Sequence, residues 1–293
     1  MDTPWLTHLT SMDEVGGDIQ ATLRVAARQT FLESRYDEGQ ATFESAEDVA
    51  CAREDVPGAI IARLGSIDAR FLASHDYGLG SGAAGCLERE FQDVAREFAA
   101  IGDPAGQAYC LTRRGWLTAI SGDIPRADAY LKQAECLAAT IDDQHTRSHV
   151  HYGRALIASI TGAPSQAIAE LRQCELLRQR IGDVHGIGVA RISIAMMAAR
   201  EHNFGAGMLM LESAADLFRS VGDERAVTAT RVHMSRLAAD LQLHAVPHAG
   251  LLPGCSAGDS GRGLVAALKQ IAEYGSALVA TPTSAGAPQG WPA

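Results

Sequence analysis

A short glycine–aspartate sequence returns every 40 residues through the middle of the chain. Ile101-Gly102-Asp103 recurs as Ile141-Asp142-Asp143, as Ile181-Gly182-Asp183 and as Val221-Gly222-Asp223. Glycine suits the left-handed residue that ends a helix, and an aspartate just after it suits the cap of the next helix. A fixed period of this length indicates a repeat array, in which each unit buries its apolar face against its neighbours.

A second break lies midway through each period. It is clear at Ser121-Gly122-Asp123 and Thr161-Gly162-Ala163, and weaker at His202-Asn203-Phe204-Gly205. Each half-period of roughly 15 to 18 residues therefore predicts one helix, and the unit is helix A, turn, helix B, turn. Apolar residues keep their phase in helix B, and a small residue recurs in helix A, where it lets two helices approach closely. These positions are Leu131, Leu171 and Leu211 in helix B, and Gly115, Ala155, Ala195 and Ser235 in helix A.

The repeat resembles the 40-residue variety of the tetratricopeptide (TPR) family. The resemblance rests on Gly102-Asp103, Ala108, Leu111, Gly115, Gly122-Asp123 and Ala127. It is strong from about residue 85 to 240, although Leu111 is replaced by His151, Arg191 and Arg231 in later repeats. It implies an all-α fold, a right-handed α solenoid of antiparallel helix pairs.

The rest of the chain is divided by its composition. Residues 1–17 are predicted to be an N-terminal extension and 18–242 the TPR-like domain. Residues 243–262 are rich in glycine, proline and serine and are predicted to be a flexible linker. Residues 263–280 have the apolar spacing of an amphipathic helix, and 281–293 are predicted to be a disordered tail.

The bulk composition limits the classes of partner. The net charge of −10 disfavours direct binding to nucleic acid or to an anionic membrane. The six cysteines are scattered and are typical of buried thiols in a reducing compartment. No signal peptide and no apolar run of membrane-spanning length is apparent, so we expect a cytoplasmic protein.

Two short motifs have the spacing of chemical sites, but each lacks the surroundings that its chemistry needs. Gly80–Gly85 matches G-x-G-x-x-G, yet it follows no strand, so we interpret it as an enlarged loop between helices. His145 and His149 stand four residues apart, with His151 nearby, but no glutamate or cysteine completes a zinc motif. We therefore expect no cofactor and no metal.

Nothing in the sequence indicates catalysis. Cys110, Cys136 and Cys174 fall on predicted helix faces, where thiols are ordinary packing residues, and no serine or carboxylate pair has a catalytic neighbourhood. We therefore expect that the protein is not an enzyme.

The resemblance also implies where a partner binds, because helix A builds most of the concave surface in this family. The alternative, that the register is shifted and these residues belong to the core, is open, above all for Trp116 and Tyr152. The predicted groove residues are Tyr109, Thr112, Trp116, Ile120, His149, Tyr152, Leu156, Ile160, Ile192, Met196, Arg200 and Arg236.

An apolar groove of this kind suits an amphipathic helix or an apolar peptide. Helix 263–280 is one candidate occupant: it either caps the last repeat or folds back into the groove. The sequence thus predicts a protein- or peptide-binding scaffold, a bacterial regulatory or signalling adaptor. The alternatives are a small-molecule-sensing or accessory component of a biosynthetic or transcriptional regulatory system, with an enzyme the least favoured. Homo-oligomerisation is open.

Overall fold

The computed structural model describes residues 4–77 and 81–245, and all regular secondary structure within them is helical. The chain divides into two compact units, Met1–Thr228 and Ala229–Ala293. The elements are α1 (Pro4–Thr7), a 3-10 helix (Thr10–Glu14), α2 (Gly17–Phe31), α3 (Tyr36–Ala52), α4 (Val56–Tyr77), α5 (Ser81–Ala100), α6 (Pro104–Ile120), α7 (Ile124–Thr140), α8 (Gln144–Ile160), α9 (Pro164–Arg180), α10 (Val184–Arg200), α11 (Phe204–Val221) and α12 (Glu224–Ala245).

Consecutive helices of the first unit pack in pairs: α2 with α3, α4 with α5, α6 with α7, α8 with α9, and α10 with α11. Each pair also contacts the next, and α6 lies directly against α8. The predicted all-α array of helix pairs is confirmed. We call the first helix of each pair, α2 to α10 in even numbers, an A helix and its partner a B helix.

The repeated glycine–aspartate junctions end one helix and cap the next, as predicted. The glycines at 102, 122, 162, 182 and 222 have φ angles between 70° and 91°, and Asp142 takes the same left-handed conformation with φ 51°. Except after Gly162, where Ala163 makes no side-chain cap, an aspartate follows and accepts a hydrogen bond from the backbone N–H three residues later. For Asp103 and Gly106 the distance is 2.9 Å.

Small residues let the A helices lie close to their neighbours. A methyl group on Gly115 would lie 2.9 Å from the Leu131 side chain, which is closer than carbon atoms pack. One on Gly153 would lie 2.6 Å from the indole nitrogen of Trp116. The close approach predicted at Gly115 is therefore confirmed, and Gly153 provides another on α8.

Two boundaries predicted from the sequence are wrong. Residues 81–85 of the predicted enlarged loop are helical, because α5 begins at Ser81 and runs through Gly85, and Gly80 lies outside the described residues. The α5 backbone continues into the amphipathic pattern of Leu87, Phe91 and Val94, which packs the helix onto the core. The predicted linker start at residue 243 is too early, because α12 continues to Ala245.

The second unit is represented by the helical residues 229–245, the remainder of α12. The rest of the predicted linker, the predicted helix 263–280 and the predicted tail 281–293 lie outside the described residues. No helix within 4–77 and 81–245 is long and apolar enough to cross a membrane.

Candidate functional site

Residues 4–15, which we call the N-terminal segment, lie across the A helices of the first unit. Trp5, Leu6 and Leu9 are each at most 3% exposed, although the sequence placed them in an extension outside the repeats. The segment contacts α2, α4 and α6. We define the A-helix face as the surface that it contacts. Four of its residues lie on A helices, whereas Phe43 lies on the B helix α3 and Asp103 caps α6. The A-helix residues are Phe31, Asp68, Tyr109 and His145.

Trp5 is the deepest anchor of the N-terminal segment. Its indole nitrogen donates a hydrogen bond of 3.0 Å to Asp68 Oδ2 on α4. Its ring stacks on Phe31 with centroids 4.9 Å apart and lies 5.5 Å from the Phe43 ring. Tyr109 meets it edge-on at 6.5 Å. The indole is therefore held by aromatic walls on three sides and by one polar contact, an arrangement typical of a binding hot spot.

Asp68 is buried at the centre of a charged cluster. Arg113 Nε lies 2.7 Å from Asp68 Oδ1, and the Tyr109 hydroxyl donates to Asp68 Oδ2. The Arg113 guanidinium also stacks over the Trp116 ring at 4.7 Å. Since Arg113 neutralises its charge, Asp68 can accept an additional neutral donor, which Trp5 supplies.

The cluster shifts the ionisation of its members. Burial raises the pKa of the Tyr109 phenol well above its ordinary value and keeps it protonated as a donor. Burial acts to lower the pKa of Arg113, but Asp68 and Tyr109 outweigh it and the pKa lies above the usual value. The arrangement is a fixed ion pair with a neutral phenol beside it.

Asp103 has two uses, one for each carboxylate oxygen. Oδ1 caps α6 through the Gly106 N–H, whereas Oδ2 accepts from the Ser11 N–H at 2.9 Å and from the Ser11 hydroxyl at 2.5 Å. Ser11 and Asp103 are both buried. The same aspartate that ends the repeat turn therefore also holds the far end of the N-terminal segment.

A stack of histidines lies between these anchors. The His8 ring stacks on His145 with centroids 4.3 Å apart, and His145 lies 4.7 Å from His149. The ring nitrogens of His8 and His145 have no hydrogen-bond partner among the described residues. Burial lowers the pKa of His145 and of His149 well below the ordinary value, so both rings are neutral. In residues 4–77 and 81–245, no three histidine, cysteine or carboxylate side chains are arranged to hold a metal ion.

The predicted groove residues divide into three sets. Tyr109, Trp116, His149 and Tyr152 are brought together: Trp116 donates to the His149 carbonyl at 3.1 Å and its ring lies 4.9 Å from Tyr152. Trp116 is buried between α6 and α8, which favours the core interpretation of this residue. The buried set is Tyr109, Thr112, Trp116 and His149; the half-buried set is Tyr152, Leu156 and Ile192; the exposed set is Ile120, Ile160, Met196, Arg200 and Arg236.

The exposed set does not join the aromatic cluster. Arg200 on α10 donates to the Ser159 carbonyl at 3.0 Å, which links two A helices at their C-terminal ends. Arg236 is exposed on α12 in the second unit. Whether the exposed residues contact a partner stays a prediction.

Sequence reasoning missed Trp5, Ser11, Asp68 and Arg113. A weak signal was present: Trp5, Leu6, Leu9 and Met12 have the spacing of one helical apolar stripe. Asp68 also stands between Ile67 and Ala69, with Leu64 and Phe71 a turn away. A carboxylate on an apolar face indicates a buried partner. The pairing itself was not predictable, since Asp68 and Arg113 are 45 residues apart.

A separate contact joins distant turns of the first unit. The Ser34 hydroxyl, in the turn after α2, donates to Asp223 Oδ2 at 2.8 Å, and His185 Nε2 lies 3.0 Å from the same oxygen. Arg225 donates to the Ser34 carbonyl at 2.6 Å. Burial acts to raise the pKa of Asp223. The hydrogen bonds from His185, the Ala226 N–H and Ser34 outweigh burial, so the pKa is lowered.

Comparison with known proteins identifies the fold. No protein-family model matches the sequence, and no curated protein matches it. Among solved structures, BtubC (BKLC) from P. vanneervenii aligns at 11% identity with a TM-score of 0.54, covering 95% of this chain and 98% of that chain. A putative kinesin light chain from Podosopora anserina with nearly identical TPR-like repeats aligns at 10% identity with a TM-score of 0.39, covering 76% and 99%. At this identity, the likeness to BtubC shows a shared helical-repeat fold and nothing of function.

Proposed function

We propose that this protein is a non-catalytic scaffold that binds a segment of another protein on its A-helix face. One observation carries the proposal: that face already holds a polypeptide segment, residues 4–15, by an indole–carboxylate and a hydroxyl–carboxylate contact. Stacked helix pairs provide extended surfaces of this kind, and aromatic and arginine side chains are the usual hot spots on them.

The net charge and the cysteines bear on the setting in which the scaffold acts. A net charge of −10 disfavours nucleic acid as the direct partner. The cysteines at 51, 86, 110, 136 and 174 are free thiols, which suits a reducing compartment. We infer a bacterial regulatory or signalling adaptor that acts in the cytoplasm.

The buried thiols support a non-catalytic role. Burial raises the pKa of Cys110 well above its ordinary value and also raises that of Cys174. A thiol acts as a nucleophile in its thiolate form, which burial disfavours. Both residues therefore serve packing, and the proposal assigns no reaction to either.

Site-specific photo-crosslinking tests the proposal. Because residues 4–15 cover the A-helix face itself, a photo-reactive amino acid is placed at Met196, a predicted groove residue on the next A helix, α10, whose side chain is 42% exposed. The matched control is Leu209 on the B helix α11, which is 63% exposed. We expect the Met196 variant to cross-link a protein in cells and the Leu209 variant not to do so. Cross-linking at Leu209 alone would contradict binding on the A-helix side.

A further inference from the structure

The N-terminal segment is fixed at two polar points and one aromatic stack. Trp5 binds Asp68, Ser11 binds Asp103, and the His8 ring between them lies flat on His145. Asp68 lies on α4 and Asp103 caps α6, so their separation is set by the stacking of these two helices. The face therefore selects a segment with donors at a fixed spacing.

The N-terminal segment has little structure of its own and takes its shape from its contacts with the core. It consists of a four-residue helix and a five-residue 3-10 helix, each far shorter than the roughly 12 to 15 residues that an isolated helix needs for stability. Gly16 joins it to α2, which begins at Gly17. Docking holds its shape, so a segment that replaces it must also cover the apolar surface that Trp5, Leu6 and Leu9 bury.

We propose that residues 4–15 are a built-in copy of the ligand, and that the partner displaces them with a segment of the same chemistry. This inference rests on the proposed function and names its partner class. The partner presents an indole N–H donor and, six residues later, a serine or threonine in a short turn. A flat aromatic or histidine ring between them packs on His145.

Each requirement follows from a contact on the A-helix face. Arg113 already neutralises Asp68, so a neutral indole fits there, whereas a lysine would add an uncompensated buried charge. Phe31 and Phe43 form walls that accept a flat ring. Asp103 Oδ2 accepts from both the backbone N–H and the hydroxyl of Ser11, which requires a hydroxyl residue whose N–H is free.

The covalent attachment of the N-terminal segment to its own binding site provides a test. A segment joined to its own site competes at the high effective concentration of an intramolecular ligand, so it masks the site from free peptide. The probe is a fluorescent synthetic peptide of residues 1–17. We expect it to bind the full-length Trp5→Ala variant about tenfold or more tightly than it binds the unaltered protein. The Ser11→Asp variant, which sets a second carboxylate against Asp103, releases the segment without removing the indole and serves if Trp5→Ala is poorly folded.

A matched pair of aspartates separates recognition from helix capping. Asp103→Asn, placed in the Trp5→Ala background, keeps the capping oxygen but sets an amide donor against the incoming serine. Asp123→Asn alters the equivalent cap of α7, whose carboxylate receives the Arg126 N–H at 3.2 Å and is exposed. We expect Asp103→Asn to weaken peptide binding about tenfold and Asp123→Asn to leave it unchanged.

A second peptide tests the chemistry rather than the sequence. It carries tryptophan and serine at the same spacing in an unrelated amphipathic sequence, and we expect it to compete with the 1–17 probe. Failure of both peptides to bind either opened variant overturns the inference. If they fail while Met196 still cross-links a protein, the scaffold function stands and the ligand chemistry is wrong. If the unaltered protein forms dimers in which the N-terminal segment of one copy occupies the face of the other, the occupant is a second copy, and the inference is also overturned.

Discussion

The indole of Trp5 and the carboxylate of Asp68 are 63 residues apart in sequence and are joined by a hydrogen bond of 3.0 Å in the interior. Asp68 is also paired with Arg113 and accepts from Tyr109. One buried carboxylate therefore connects the N-terminal segment with α4 and α6.

Loss of the indole N–H alone is expected to weaken docking of the segment. Trp5→Phe keeps an aromatic ring between Phe31 and Phe43 but removes the donor to Asp68. A hydrogen bond to a charged group contributes about 1.5 to 3 kcal/mol, so the melting temperature should fall. Thermal unfolding followed by circular dichroism measures the change. An unchanged melting temperature would show that the N–H contributes nothing.

Removing one partner of the buried ion pair is expected to lower the unfolding free energy strongly. Arg113→Met leaves Asp68 charged and unpaired, which costs about 3 to 5 kcal/mol of unfolding free energy. Adding Asp68→Asn removes the charge while keeping an acceptor for Trp5, so the double variant should be more stable than Arg113→Met.

Urea unfolding of Arg113→Met, of Asp68→Asn and of the double variant gives the coupling between Asp68 and Arg113. The exposed pair Arg219–Asp216 is the control, and Arg219→Met should change stability little. Equal stabilities of Arg113→Met and the double variant would refute the ion-pair account.

Acid is expected to destabilise the fold through the histidine stack. Burial lowers the pKa of His145 and His149 in the folded chain, whereas in the unfolded chain each returns to an ordinary value near 6.5. Below that pH the unfolded state binds more protons than the folded state. The unfolding free energy therefore has its full value above about pH 6.5 and falls as the pH is lowered. The two histidines together should lower the unfolding free energy by about 3 kcal/mol between pH 7.5 and pH 5.5.

The groups around the histidine stack do not stabilise the protonated rings. His8, Arg113 and Arg178 face the two rings and each disfavours their protonation. His145→Phe keeps the stack and removes one titrating group, so urea titrations at each pH should show a shallower dependence. An unaltered slope in that variant would exclude His145 as the cause.

The close approach of α6 and α8 is expected to tolerate no side chain at Gly153. Gly153→Ala sets a methyl group against the Trp116 ring and should cost about 1 to 3 kcal/mol. Gly205→Ala on α11 is the control, because nothing lies within 4 Å of a methyl group there. Chemical denaturation of both variants makes the comparison. Equal stabilities would show that Trp116 moves aside freely.

The amino-acid sequence by itself determined the repeat. Glycine at 102, 122, 162, 182 and 222 and the capping aspartates act within a few residues, so their spacing predicted the helix boundaries in the middle of the chain. Where that local signal was weak, at residues 81–85 and 243–245, the predicted boundaries were wrong. In α5, the packing of Leu87, Phe91 and Val94 onto the core supports the helix that begins at Ser81.

Only the tertiary structure decided what covers the A-helix face. Trp5 with Asp68, Ser11 with Asp103 and His8 with His145 are pairs far apart in sequence, and a hydrogen bond or a ring stack of this kind leaves no periodic trace. Local patterns report backbone conformation, because they arise between residues close along the chain. Recognition between distant side chains depends on how the helix pairs stack, and that is a property of the folded chain.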